Sequence, residues 1–71
     1  MSNGTISIGQ TWRSDNGMSM YIDNIELALS GSREVVMITY CARKDAERSV
    51  TVEAAELISW MRKHNFQAVS A

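Results

Sequence analysis

The stretch of residues 50–66, VTVEAAELISWMRKHNF, decides the fold because it is the part of the chain with a clear helical period. Acidic residues come early in this stretch and basic residues late, which is the order that a helix dipole favours. The apolar side chains recur at steps of three and four and form one stripe: Ala54, Leu57, Ile58 and Met61. We therefore predict a helix over residues 52–64 that packs this stripe on a sheet.

Both ends of the predicted helix carry end signals. Thr51 has the side chain of an N-cap residue, and Val50 before it is placed to act in a hydrophobic staple. At the other end Asn65 suits the left-handed exit conformation, which would fold Phe66 back onto the apolar stripe in a Schellman motif.

The residues before the helix alternate in hydrophobicity with a period of two, which is typical of strands. Residues 14–17 end in Asn-Gly, a strong hairpin signal, and residues 30–32 (SGS) predict a second turn. Between the two turns the alternating apolar residues have even numbers up to Ile22 and odd numbers from Ile25 onward. A strand changes faces only through an extra residue, so we predict a β-bulge or a sharp bend at residues 23–24.

These elements predict an α+β fold in one domain of 71 residues. We expect a three- to four-stranded antiparallel meander over residues 5–50, strongly bent and SH3-like, followed by one C-terminal helix packed on it. In the first strand Ile6 and Ile8 would share a face, and residues 1–4 would form a disordered start. The bulge favours closure into a small barrel, and an open sheet with the helix across one face is the alternative.

Composition narrows the classes of function. The net charge of −1 argues against strong, sequence-blind binding to nucleic acid and against an acidic DNA mimic. Cys41 is the only cysteine, so no internal disulfide can form, and this fits a reducing compartment. No apolar run has the length of a transmembrane helix, and the N-terminus lacks the regions of a signal peptide. We expect a cytoplasmic location and no membrane partner.

The sequence carries no pattern that points to catalysis or to a cofactor. His64 stands alone in the last turn of the predicted helix, where a cation favours the dipole. Cys41 lies among alternating apolar residues, as an inert buried thiol does. One cysteine and one histidine do not make a zinc site, and the scattered glycines form no phosphate loop. We expect no enzyme, no metal and no cofactor.

Binding to another protein is the leading hypothesis. Trp60 lies at the edge of the helical stripe, so part of its indole should stay exposed. Met18 and Met20 flank Tyr21 in the strand after the Asn-Gly turn. Methionine is common at adaptable binding surfaces, and tryptophan and tyrosine are enriched at interfaces. These four residues are the predicted partner-binding surface, although nothing in the sequence shows that they share a face.

Two alternatives remain open. A nucleic-acid-binding module would use Arg43, Lys44 and Arg48, although Asp45 and Glu47 lie among them and reduce their field. A structural homo-oligomeric subunit would associate through an edge strand or through the helix face that carries Trp60. Salt dependence separates the first alternative from an apolar protein interface.

The pattern of the whole chain resembles a group of small barrel-plus-helix proteins encoded by phages, prophages and plasmids of enteric bacteria. The resemblance lies in residues 8–13 (IGQTWR), in the bent second strand, and in the sheet-then-helix ending from Ser49 to Met61. It implies an accessory protein of a mobile element, and some such proteins bind host defence or transcription factors. The group shares no site motif, so no functional residue follows from the resemblance.

Overall fold

The computed structural model describes residues 6–69, and the predicted disordered start, residues 1–4, lies outside them. The elements in chain order are β1 (Thr11–Arg13), β2 (Ser19–Ser30), β3 (Arg33–Cys41), β4 (Val50–Glu53), α1 (Ala54–Lys63) and β5 (Gln67–Ala68). The strands form one sheet in the order β4-β3-β2-β1-β5, and every pair is antiparallel. The predicted α+β architecture, a meander followed by a C-terminal helix, is confirmed.

The sheet differs from the prediction in its strand count. After the helix, the chain returns to the sheet and pairs Gln67 with Arg13 and Ala68 with Trp12. A strand of two residues leaves no alternating pattern in a sequence, so β5 was not predicted. The pairing found among residues 6–69 does not join β4 to β5, and closure into an SH3-like barrel stays a prediction. Within the same residues no helix is long and apolar enough to cross a membrane.

The helix begins later than the sequence predicts. Val50, Thr51 and Glu53 belong to β4, so Thr51 is not the N-cap and Val50 forms no staple. Glu53 occupies the N-cap position in an extended conformation and makes no side-chain capping bond. Thr51 instead pairs with Thr39 of β3, and their hydroxyl oxygens are 2.8 Å apart. β-branched residues fit this pleated pairing better than a first helical turn, which explains the shift.

The predicted helix stop is confirmed. Asn65 has a φ of 56°, in the left-handed region. The N–H of Phe66 donates to the carbonyl of Met61 at 2.9 Å, and the N–H of Asn65 donates to the carbonyl of Arg62 at 3.2 Å. These are the two bonds of a Schellman motif. The motif returns Phe66 into the hydrophobic core.

The core lies between the helix and one face of the sheet. Leu57 and Met61 of the predicted stripe are buried, and Ala54 and Ile58 are half-buried. Each large apolar side chain that is fully buried contributes roughly 1.5–3 kcal/mol relative to its exposed state. The other buried residues of this cluster are Trp12, Met20, Ile22, Ile38 and Phe66.

The predicted bulge is confirmed in β2. Ile22 pairs with Tyr40 and Asn24 pairs with Thr39, so Asp23 is the extra residue. Beyond the bulge Ile25 pairs with Ile38. Even-numbered side chains of β2 therefore point to the core face before the bulge, and odd-numbered side chains point to it after the bulge.

The predicted first strand is shorter than expected. Gly9 has a φ of 89°, and residues 7–10 form a turn in place of an extended strand. Ile6 is half-buried against the core, whereas Ile8 is 58% exposed, so the two do not share an environment. The expectation of a shared strand face was wrong, because Ile8 lies in the turn that the N–H of Gln10 closes on the carbonyl of Ser7 at 3.2 Å, and Gly9 supplies its left-handed residue.

Candidate functional site

An apolar groove opens on the core face of the sheet, where β2 begins and β3 ends. Its volume is about 240 Å³. We call it the Trp60 groove, and its main apolar walls are Met18, Met20, Tyr40, Val50, Trp60 and Phe66. Arg48 is the charged side chain on its border.

Strand pairing and the helix stop together position these walls. Tyr40 and Val50 are direct cross-strand partners between β3 and β4, so their side chains stand on the same face of the sheet. Met20 is the cross-strand partner of Trp12 and lies deep in the core beneath the groove. Trp60 reaches the groove from the second half of α1.

The indole of Trp60 is held in place but is not covered. Its ring lies 5.0 Å from the ring of Phe66 and 4.9 Å from the ring of His64, measured between centroids. The side chain is nevertheless 37% exposed. A second depression of about 230 Å³, bordered by Val52 and Glu56, lies against the same indole. Aromatic rings packed in this way have little freedom left to lose, so Trp60 presents a preorganised apolar surface to both concavities.

The structure brings together three of the four residues that the sequence proposes for partner binding. Met18, which is 41% exposed, and Trp60 form walls of the groove, and Met20 is buried in its floor. Tyr21 alternates with Met20 along β2 and pairs with Cys41, so it stands on the opposite face of the sheet. Tyr21 is therefore not part of this site.

Sequence reasoning missed Tyr40, Val50 and Phe66 as groove residues. The sequence pattern predicts a helix staple at Val50 and packing of Phe66 on the apolar stripe of the helix. Their meeting depends on the register between β3 and β4 and on the Schellman return. The Schellman return is local and follows from Asn65, but the register between β3 and β4 is not local, so no local signal could have revealed the groove.

The basic residues of the nucleic-acid hypothesis, Arg43, Lys44 and Arg48, are all exposed. Arg43 and Lys44 lie in the turn after β3, where the N–H of Ala46 donates to the carbonyl of Arg43 at 3.1 Å. Asp45 sits in the same turn with a φ of 68°. Arg48 borders the Trp60 groove, whereas Arg43 and Lys44 do not line it.

The single cysteine and the single histidine of the chain each contact a residue that is near them in the sequence. The buried thiol of Cys41 lies 3.1 Å from the carbonyl oxygen of Arg43, to which it can donate. His64 is the C-cap residue of α1 and packs on Trp60. Within residues 6–69 no three histidine, cysteine or acidic side chains come together as metal ligands.

No protein-family model, no curated protein and no solved structure matches this chain. Function is therefore inferred from the shape, the exposure and the charge of the groove.

Proposed function

We propose that the protein is a small non-enzymatic binding module that holds a segment of another protein in the Trp60 groove. The observation that supports this best is the state of Trp60, which is packed on Phe66 and His64 and yet 37% exposed between two depressions. Interface hot spots are typically aromatic side chains of this kind, set in concave apolar surroundings.

The size and the charge of the groove indicate what it takes. A volume of about 240 Å³ is below the ~300–1,000 Å³ of sites for small-molecule ligands, and it suits one large apolar side chain. Arg48 on the border favours a carboxylate next to that side chain. Glu56, beside the second depression, disfavours a carboxylate there. The proposed ligand is thus a peptide segment with an apolar anchor and an acidic residue on the Arg48 side.

The wider role that we propose is that of a phage or prophage accessory protein which docks on a host protein. Support for this role comes from the sequence resemblance, which extends along nearly the whole chain. The groove supplies the physical means, since it would capture an exposed segment of such a host protein.

A peptide-display selection against the purified protein tests the proposed docking. We expect enrichment of peptides in which a large apolar residue neighbours Asp or Glu, with binding that Trp60→Ala abolishes. Val50→Glu should abolish it too, by placing a charge in the groove at a position that is already exposed. Ile8→Ala is the matched control, because Ile8 is an exposed apolar residue outside the groove.

Two results would overturn the proposal. One is a selection that enriches no peptide family. The other is an enriched peptide that binds Trp60→Ala and Val50→Glu as tightly as the wild type, with both variants folded by circular dichroism. The nucleic-acid alternative predicts something different, namely oligonucleotide binding that falls steeply with salt and is lost when Arg43, Lys44 and Arg48 are replaced by alanine.

A further inference from the structure

Beyond the bulge, β2 and β3 continue into a two-stranded ribbon made of residues 27–30 and 33–36. β1 pairs with β2 only through residues 19–21, with further backbone bonds at Ile22, and β4 pairs with β3 only from Met37 onward. Among residues 6–69, therefore, no strand pairs with the outer edge of the ribbon on either side. A lone two-stranded ribbon is only marginally stable in water, so these edges are suited to pairing with a further strand.

One face of the ribbon is apolar and open. Leu27 is 67% exposed, Leu29 is 74% exposed, and Val36, the direct cross-strand partner of Leu27, is 41% exposed. Val36 lies on the same face of β3 as Ile38, which is part of the hydrophobic core. Free edges are normally protected by lysine or proline, but the chain has no proline, and Glu26 is the only charged residue from 25 to 30.

We propose that the outer edge of β2 pairs with the same edge of a second copy of this chain. The two copies would run antiparallel about a two-fold axis at Ala28, giving a continuous sheet in the order β3-β2-β2-β3. In this register Leu27 of one copy lies opposite Leu29 of the other. The interface is isologous, because each copy contributes the same edge.

The pattern of β2 is self-complementary in this register. A two-fold axis at Ala28 pairs odd-numbered residues of one copy with odd-numbered residues of the other. Leu27 and Leu29 of both copies therefore lie on one face of the joined sheet and extend its apolar surface. On the other face Glu26 lies opposite Ser30 of the second copy, and Ser30 is paired in its own chain with Arg33. The small serine lets the guanidinium reach toward the glutamate, and no like charges face each other directly. This charge arrangement favours a second copy over an unrelated strand.

The ribbon and the Trp60 groove lie at opposite ends of β2. Met18 and Met20 line the groove at the beginning of the strand, and Leu27 and Leu29 lie near its end. The dimer leaves the groove of each copy open, so this inference does not depend on the proposed function.

Sedimentation equilibrium of the wild type over a range of concentrations tests the proposal. We expect a reversible dimer that Leu29→Lys converts to a monomer with an unchanged circular dichroism spectrum, because the side chain is already exposed. Ile8→Lys adds the same charge at another exposed apolar position and should remain a dimer. A wild type that is monomeric at every concentration overturns the proposal, and so does a Leu29→Lys variant that still dimerises.

A cysteine cross-link tests the register. Directly opposed residues of antiparallel strands have Cα atoms about 4.5–5.5 Å apart, which suits a disulfide. Under mild oxidation Ala28→Cys should therefore form a covalent dimer. The wild type, in which Cys41 is buried, and Ser59→Cys, which is exposed on α1, should not. Equal cross-linking of Ala28→Cys and Ser59→Cys would contradict the predicted axis.

Discussion

Replacing Asn65 by alanine should destabilise the domain by about 1.5 kcal/mol, mainly through the backbone. Asn65 has a φ of 56°, and the left-handed conformation costs an L-residue with an ordinary side chain roughly 1–2 kcal/mol. The side-chain amide also donates to the carboxylate of Asp15 at 3.0 Å. That bond is exposed and adds at most about 1 kcal/mol. For a domain of this size the loss lowers the melting temperature by roughly 6–12 °C.

Glycine at the same position separates the two contributions. Asn65→Gly loses the bond to Asp15 but adopts the left-handed conformation freely, so its free energy of unfolding should stay within about 0.5 kcal/mol of the wild type. Asp15→Ala removes the same bond without touching the helix stop, and it should match the glycine variant. Urea unfolding followed by circular dichroism measures all three. If Asn65→Gly were as unstable as Asn65→Ala, or if Asn65→Ala were neutral, the left-handed exit would not be what ends this helix.

Three further substitutions test the packing and the turns. Leu57→Ala removes a buried core side chain and should cost about 2–5 kcal/mol in urea unfolding, enough to leave the domain partly unfolded at room temperature. Gly17→Ala places a side chain at a φ of 92° with open space around it, so thermal unfolding should report only the backbone penalty of about 1 kcal/mol. Ser14→Ala should cost about 1–2 kcal/mol by the same assay, because the buried hydroxyl of Ser14 accepts from the N–H of Met18 at 3.1 Å and bonds the Asn16 side chain.

The features of the fold that the sequence predicts correctly are those with local causes. The change of apolar parity between Ile22 and Ile25 requires an extra residue in one strand, and that residue is Asp23. Asn65 followed by an apolar residue is a helix stop whatever surrounds it. In each case the steric reason lies within a few residues, so the pattern is sufficient evidence.

The helix start could not be predicted in this way. Thr51 reads locally as an N-cap, but pairing with β3 and the contact with the Thr39 hydroxyl favour a strand. The outcome depends on a partner 12 residues away in the chain, and tertiary pairing overrides local propensity.

The candidate site also combines a feature with a local cause and features that depend on strand pairing. The exposure of Trp60 follows from its place at the edge of the helical stripe, which is a local property. Its meeting with Met18 and Val50 follows from the register of three strands, which the sequence leaves open. Tyr21 lies on the opposite face from Met20 because adjacent strand residues face opposite ways, and only the structure shows which positions of β2 face the helix.

The most direct test of docking in the Trp60 groove is NMR of the protein labelled at its methionine methyl groups, titrated with a peptide enriched by the selection. Met18 is an exposed wall of the groove, whereas Met37 alternates with the core residue Ile38 and lies on the other face of β3. Docking in the groove predicts that the Met18 resonance moves in proportion to occupancy while the Met37 resonance stays in place. Movement of Met37 with an unchanged Met18 would show that the peptide binds elsewhere and would contradict the proposed site.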